Sequence, residues 1–182
     1  MKFFILDTGF LSSLAKIDRL NLIKEEGFVI ISFEAYKEIK NAGNYGYEFA
    51  NKILNQIAFS ESDLSAIKWI LVAHPKGEEL EWCERLLKKY PHLDIADVEC
   101  IILGKRDPKY ILLIDDRDAR EVARKEGLEC FDIPSFLEVC ILRKKISKSE
   151  LEEIFTLLKK KDFYEFNEDV KFFLLHLFEK EQ

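Results

Sequence analysis

Cysteine and histidine are few and scattered in this sequence, and their spacing excludes the common zinc sites. Cys83, Cys100, Cys130 and Cys140 contain no C-x-x-C pair, and His74, His92 and His176 stand apart from one another, so no zinc-ligand pattern forms. Three of the cysteines lie among apolar neighbours, as reduced, buried thiols do. Long hydrophobic runs are missing too. Tyr110–Ile114 is among the longest, far short of the ~18 residues of a membrane span. The apolar run Phe3–Leu6 is bounded by Lys2 and Asp7 and is too short for a signal peptide, so the cytoplasm is the expected location and no membrane is a partner. There is no Pro/Gly-rich linker, internal repeat or low-complexity tract. G-x-S-x-G, Walker and G-x-G-x-x-G motifs are likewise absent, which removes the nucleophile elbow and the nucleotide-binding loops. Nor is there an excess of positive charge. A formal net charge of −6 argues against a protein that merely coats nucleic acid, but not against an enzyme acting on it, because metal-binding carboxylates count towards that total.

What is present is a core-forming chain of alternating elements. The 182 residues are 48% hydrophobic and include 15 Phe, enough for one domain with a short C-terminal addition. Strands are expected at Phe3–Leu6, Phe28–Ile31, Ile57–Phe59, Tyr110–Ile114 and Glu129–Phe131. Helices are expected after Asp7, where Leu11, Leu14, Ile17 and Leu20 recur at helical spacing, and at 33–40, 47–56, 63–73, 78–89, 95–105, 117–126 and 134–142. Strand and helix in alternation predict an α/β fold with a mostly parallel central sheet covered by helices on both faces. Residues 1–142 complete that pattern. Residues 143–182 read as a C-terminal helical extension, with helices at 148–160 and 167–180. The last of these carries Val170, Phe172, Phe173, Leu174, Leu175, Leu177 and Phe178, an apolar face wide enough to require burial against the domain or a second copy of the chain. The stretch 143–161 holds seven Lys/Arg against three Glu, which reads as a solvated helix face or an RNA-contacting patch.

Acidic residues recur at one kind of address. Asp7 ends the first strand, Asp115 and Asp116 end the 110–114 strand, and Asp97 lies in the first turn of the 95–105 helix. Each alone is a good helix cap or first-turn acid, and Asp94 with Asp97 has near capping-box spacing. In a parallel sheet, however, strand C-termini share one edge, where ligands bind. Carboxylates gathered there repel one another unless a cation lies between them. Oxygen donors without His or Cys point to Mg²⁺ or Mn²⁺. Glu38, one helical turn after Glu34, reaches towards the same edge. Such a site suits phosphodiester hydrolysis. Arg117, Arg120 and Arg124 follow the acidic pair at helical spacing and are candidate phosphate contacts.

Four segments carry a resemblance. Phe4-Ile5-Leu6-Asp7-Thr8, Tyr36-Lys37-Glu38-Ile39, Leu93-Asp94-Ile95-Ala96-Asp97-Val98-Glu99 and Leu112-Leu113-Ile114-Asp115-Asp116-Arg117-Asp118-Ala119-Arg120 resemble, in order and spacing, the acidic motifs of PIN-domain nucleases. Leu113 to Arg120 with Ala123 and Gly127 is most similar to a prokaryotic subgroup related to VapC-type toxins. The resemblance implies a three-layer α/β/α fold and a Mg²⁺- or Mn²⁺-dependent endoribonuclease acting on single-stranded RNA. Asp7, Glu38, Asp97 and Asp116 would be its catalytic acids, and Asp7, Asp97, Asp115 and Asp116 its metal ligands. Glu99 and Arg120 would be accessory. A homodimer is expected, and an antitoxin protein is a candidate partner. Two positions depart from the family pattern: Gly9 stands where Ser or Asn is usual, and Ile114 where Thr or Ser is frequent. An alternative is therefore a PIN-like RNA-binding or regulatory module with weak or lost catalysis. Asp7-Thr8-Gly9 also resembles the triplet of aspartic peptidases, but the helical pattern after Gly9 disfavours that mostly β fold. A receiver-type domain would carry its paired acids at the first strand.

Overall fold

A computed structural model describes residues 2–179. In chain order the elements are β1 (Phe3–Leu6), α1 (Thr8–Lys16), α2 (Asn21–Lys24), β2 (Phe28–Ser32), α3 (Phe33–Asn44), α4 (Glu48–Leu54), β3 (Ile57–Ala58), β4 (Ile70–Ala73), α5 (Glu78–Lys89), α6 (Ile95–Gly104), β5 (Ile111–Leu113), α7 (Arg117–Lys125), β6 (Cys130–Phe131), α8 (Ile133–Leu142), α9 (Lys148–Asp162) and α10 (Glu168–Leu177). The strands form one sheet in the order β3-β4-β2-β1-β5-β6, and every pairing is parallel. Alternating side chains build the layers, because successive strand residues face opposite sides. Phe4, Leu6, Val29 and Ile31 enter one core with α1, α4 and α8. Ile5, Ile30, Leu112 and Ile114 enter the other with α6 and α7. The chain is thus a three-layer α/β/α fold with a helical tail. Among the described residues, no helix is long and apolar enough to cross a membrane.

The helix expected over 63–73 does not form. Ile70–Ala73 is instead the strand β4, paired with both β2 and β3, and the residues before it form a short 3₁₀ turn at Glu61–Asp63 and a loop. A four-residue apolar run has no period that separates helix from strand, and inclusion between two strands decides this one. The remaining elements lie within a few residues of expectation; the last helix ends at Leu177, and residue 180 of its expected span lies outside the described residues.

The tail docks. Leu151, Ile154 and Leu158 of α9 are fully buried in the first core, each worth about 1.5–3 kcal/mol of burial. At its C-terminus, Asp162 accepts from the Ser13 hydroxyl and pairs with Lys16 on α1. Helix α10 lies on α8 through Leu174, whereas Phe172 remains 72% exposed and Phe173 is also exposed.

Candidate functional site

The acidic edge is built by helix starts at strand ends. β1 and β5 are adjacent and parallel, so the residues that follow them emerge side by side. Asp7 caps α1, its Oδ1 accepting from the Phe10 N–H at 2.6 Å. Its Oδ2 accepts from the Asp115 N–H at 2.9 Å, a contact that ties the two strand ends together. Asp116 caps α7 by accepting from the Ala119 N–H at 2.8 Å. Asp94 and Asp97 form a reciprocal capping box at the start of α6. Each acid thus satisfies a helix N-terminus.

These caps open on one pocket. Asp7, Glu38, Asp97, Asp115 and Asp116 all line it, together with Asp94, Thr8 and Arg117. Asp7 is only 7% exposed. Burial raises its carboxyl to about 7, outweighing the backbone hydrogen bonds from Phe10, Asp115 and Asp116 that favour the anion, with the charge of Asp115 adding to the rise. Asp97 is also raised to about 7, first by desolvation and then by repulsion from Asp94, Asp116 and Asp7. Asp115 is raised by burial. Mutual repulsion is therefore relieved by retained protons near neutral pH.

Two expected accessories lie elsewhere. Glu99 accepts from the Glu34 N–H at 3.1 Å and from the Ser32 hydroxyl, clamping α6 to the start of α3 outside the pocket. Arg120 turns inward. Its side chain is 14% exposed, donates to the carbonyls of Ile114 and Asp115, and pairs with Asp132 at 3.3 Å. Arg117 is the arginine that lines the pocket. One contributor had no signal in the sequence: the Tyr164 hydroxyl, from the turn after α9, hydrogen-bonds Asp115. Its position is fixed by Phe166, which is buried in the first core with the Tyr164 and Phe155 rings against it.

The family described as "DUF3368: PIN domain" matches residues 3–177. The chain belongs to the PIN-domain family. No curated protein matches it. PIN membership implies a divalent cation, and the donor chemistry of the pocket suits one: hard carboxylate oxygens, plus the Thr8 hydroxyl, whose buried oxygen has no hydrogen-bond partner. The arrangement does not. Among the described residues no three His, Cys, Asp or Glu side chains form a group that would hold a metal ion; the carboxylates of Asp7 and Asp116 accept from backbone N–H groups instead. The two departures from the PIN pattern sit in different surroundings. Ile114 is spent on the second core, 1% exposed. At Gly9 a Cβ would fit in ordinary van der Waals contact, 3.8 Å from both Asp7 oxygens.

Proposed function

We propose that this PIN-domain protein is a catalytically weak module that engages single-stranded RNA. The observation that carries this reading is the disagreement within the acidic pocket: the donors are of the right kind, yet among the described residues no three of them form a group that would hold a metal ion. Asp7 and Asp97, with carboxyls near 7, hold protons that a cation would have to displace, so binding releases protons and strengthens with pH. Arg117 at the rim offers a phosphate its one cationic contact from the pocket lining.

A second reading is a competent Mg²⁺- or Mn²⁺-dependent endoribonuclease of toxin type, with an antitoxin partner and a homodimer. It is favoured by the meeting of Asp7, Glu38, Asp97 and Asp116 on a single pocket. A bound divalent cation would supply charge neutralisation and activation of water for phosphodiester hydrolysis; Asp7, Asp97, Asp115 and Asp116 would hold it.

The experiment is cleavage of a labelled single-stranded RNA with Mn²⁺, beside a Mn²⁺ titration, for the natural chain and Asp7→Asn. RNA binding with cleavage far below the ordinary ~1–10³ s⁻¹ range, and abolished in Asp7→Asn, is the expected result. Turnover within that range establishes the second reading. A chain that binds no RNA refutes both, and equal cleavage by Asp7→Asn identifies a contaminating nuclease.

A further inference from the structure

Helix α3 borders the acidic pocket through Glu38 and carries a different surface on the neighbouring arc. The rings of His74, Phe33, Tyr36 and Phe59 form a continuous row, with centroid separations of 4.2, 5.9 and 5.4 Å. Three separate segments supply it: the residue after β4, helix α3 and the residue after β3. Phe59 is 62% exposed, and His74 is exposed as well, while Phe33 and Tyr36 are half-buried. Core packing accounts for the inner two rings but not for a phenylalanine held in solvent against them. Lysines flank the row. The Lys37 ammonium lies 5.6 Å from the Phe33 centroid and the Lys40 ammonium 6.0 Å from that of Tyr36. Lys37 pairs with Glu34 at 2.6 Å, whereas Lys40 has no carboxylate partner among the described residues.

Helical geometry sets the order of these groups. At 100° per residue, Tyr36, Lys40, Phe33 and Lys37 occupy one contiguous arc of α3, and Glu34 and Glu38 occupy the next. A chain leaving the pocket beside Glu38 therefore crosses Lys37 and reaches the rings within one helix width. We infer that the His74–Phe33–Tyr36–Phe59 row is a base-stacking platform that takes the single-stranded RNA flanking the acidic pocket. The inference rests on the RNA reading of that pocket. Bases have π faces that stack on aromatic side chains without regard to sequence, and lysines beside the rings neutralise the phosphates. Double-stranded RNA keeps its bases stacked internally and offers no such face. An apolar peptide would cover the rings but leave the Lys40 ammonium without counter-charge.

The platform is tested by binding alone, with a labelled short oligouridylate in chelator, across a salt series. Phe59→Ala removes an exposed ring, and circular dichroism checks that the fold is retained. Its affinity should fall about tenfold at every salt concentration, since one stacked base is worth about a tenfold factor or more. Phe59→Trp should bind at least as tightly as the natural chain. Lys40→Ala should flatten the log–log salt slope by about 0.7, the value for one phosphate contact on a single strand. Duplex RNA should show no Phe59 dependence. Natural, Phe59→Ala and Lys40→Ala chains that bind alike overturn the platform, as does failure of the natural chain to bind oligouridylate. A chain that binds through Phe59 yet never cleaves RNA with Mn²⁺ keeps the platform while removing hydrolysis. One that cleaves RNA but ignores Phe59 and Lys40 does the reverse.

Discussion

Asp7→Asn at two pH values isolates the electrostatic cost of the acidic edge. The Asp7 carboxyl is raised from 3.8 to about 7 because burial disfavours its anion. A group raised in the folded state binds its proton more tightly there than in the unfolded chain. Stability therefore falls as pH rises from about 4 through 7, and the whole penalty is present above 7. The size of that rise corresponds to about 4 kcal/mol. Asparagine removes the charge but brings a cost of its own. Asp7 accepts from both the Phe10 and the Asp115 N–H groups, whereas an amide has one acceptor oxygen, so one buried N–H loses its partner at about 1–3 kcal/mol. The balance at pH 8.5 is a gain of about 1–3 kcal/mol for Asp7→Asn. At pH 5.5 about 2 kcal/mol of that penalty remains, so the gain shrinks to about zero against the lost hydrogen bond. Urea unfolding reads this directly: with a slope of about 2 kcal/mol/M, the midpoint difference at pH 8.5 is about 0.5–1.5 M, and it shrinks towards zero at pH 5.5. Asp97, also raised to about 7, leaves a residual pH dependence in the variant. Equal midpoints for both proteins at both pH values would refute the claim that the buried Asp7 charge is costly.

Gly9→Ser puts a hydroxyl next to the Asp7 carboxylate at a position with room for a Cβ; Mn²⁺ affinity and RNA cleavage should both rise several-fold, and no change in a Mn²⁺ titration would separate Gly9 from the weakness of the site. Tyr164→Phe removes the hydroxyl on Asp115 while keeping the ring against Phe166; the Mn²⁺ affinity should change with thermal stability shifted by only about 1 kcal/mol, and an unaltered titration would make Tyr164 a packing residue only. Leu158→Ala empties a fully buried site under α9 and should cost about 2–5 kcal/mol in urea unfolding. If it costs less than 1 kcal/mol, the proposed division at residue 142 gains support, since the extension would then be separable from the domain.

The sequence was sufficient for the parallel α/β layout and for the gathering of the acids. Both depend on local information: strand runs such as Phe3–Leu6, helix starts such as Asp7 and Asp116, and a chirality rule that sends every strand end to one edge. It failed at Ile70–Ala73, because a short apolar run takes its conformation from its neighbours, here β2 and β3 on either side. Side-chain direction was equally beyond reach. Spacing placed Arg117 and Arg120 on one helix face, but only packing shows Arg120 turned into the carbonyls of Ile114 and Asp115 while Arg117 meets the pocket. Tyr164 joins Asp115 across a long stretch of sequence because Phe166 is driven into the core beside it, and the aromatic row joins three segments that no periodicity connects. That Asp7, Asp97 and Asp116 stand at helix starts and line one pocket together was likewise a tertiary question. The same residue types cap helices in any fold, and here the parallel pairing of β1 with β5 makes the residues that follow them emerge side by side.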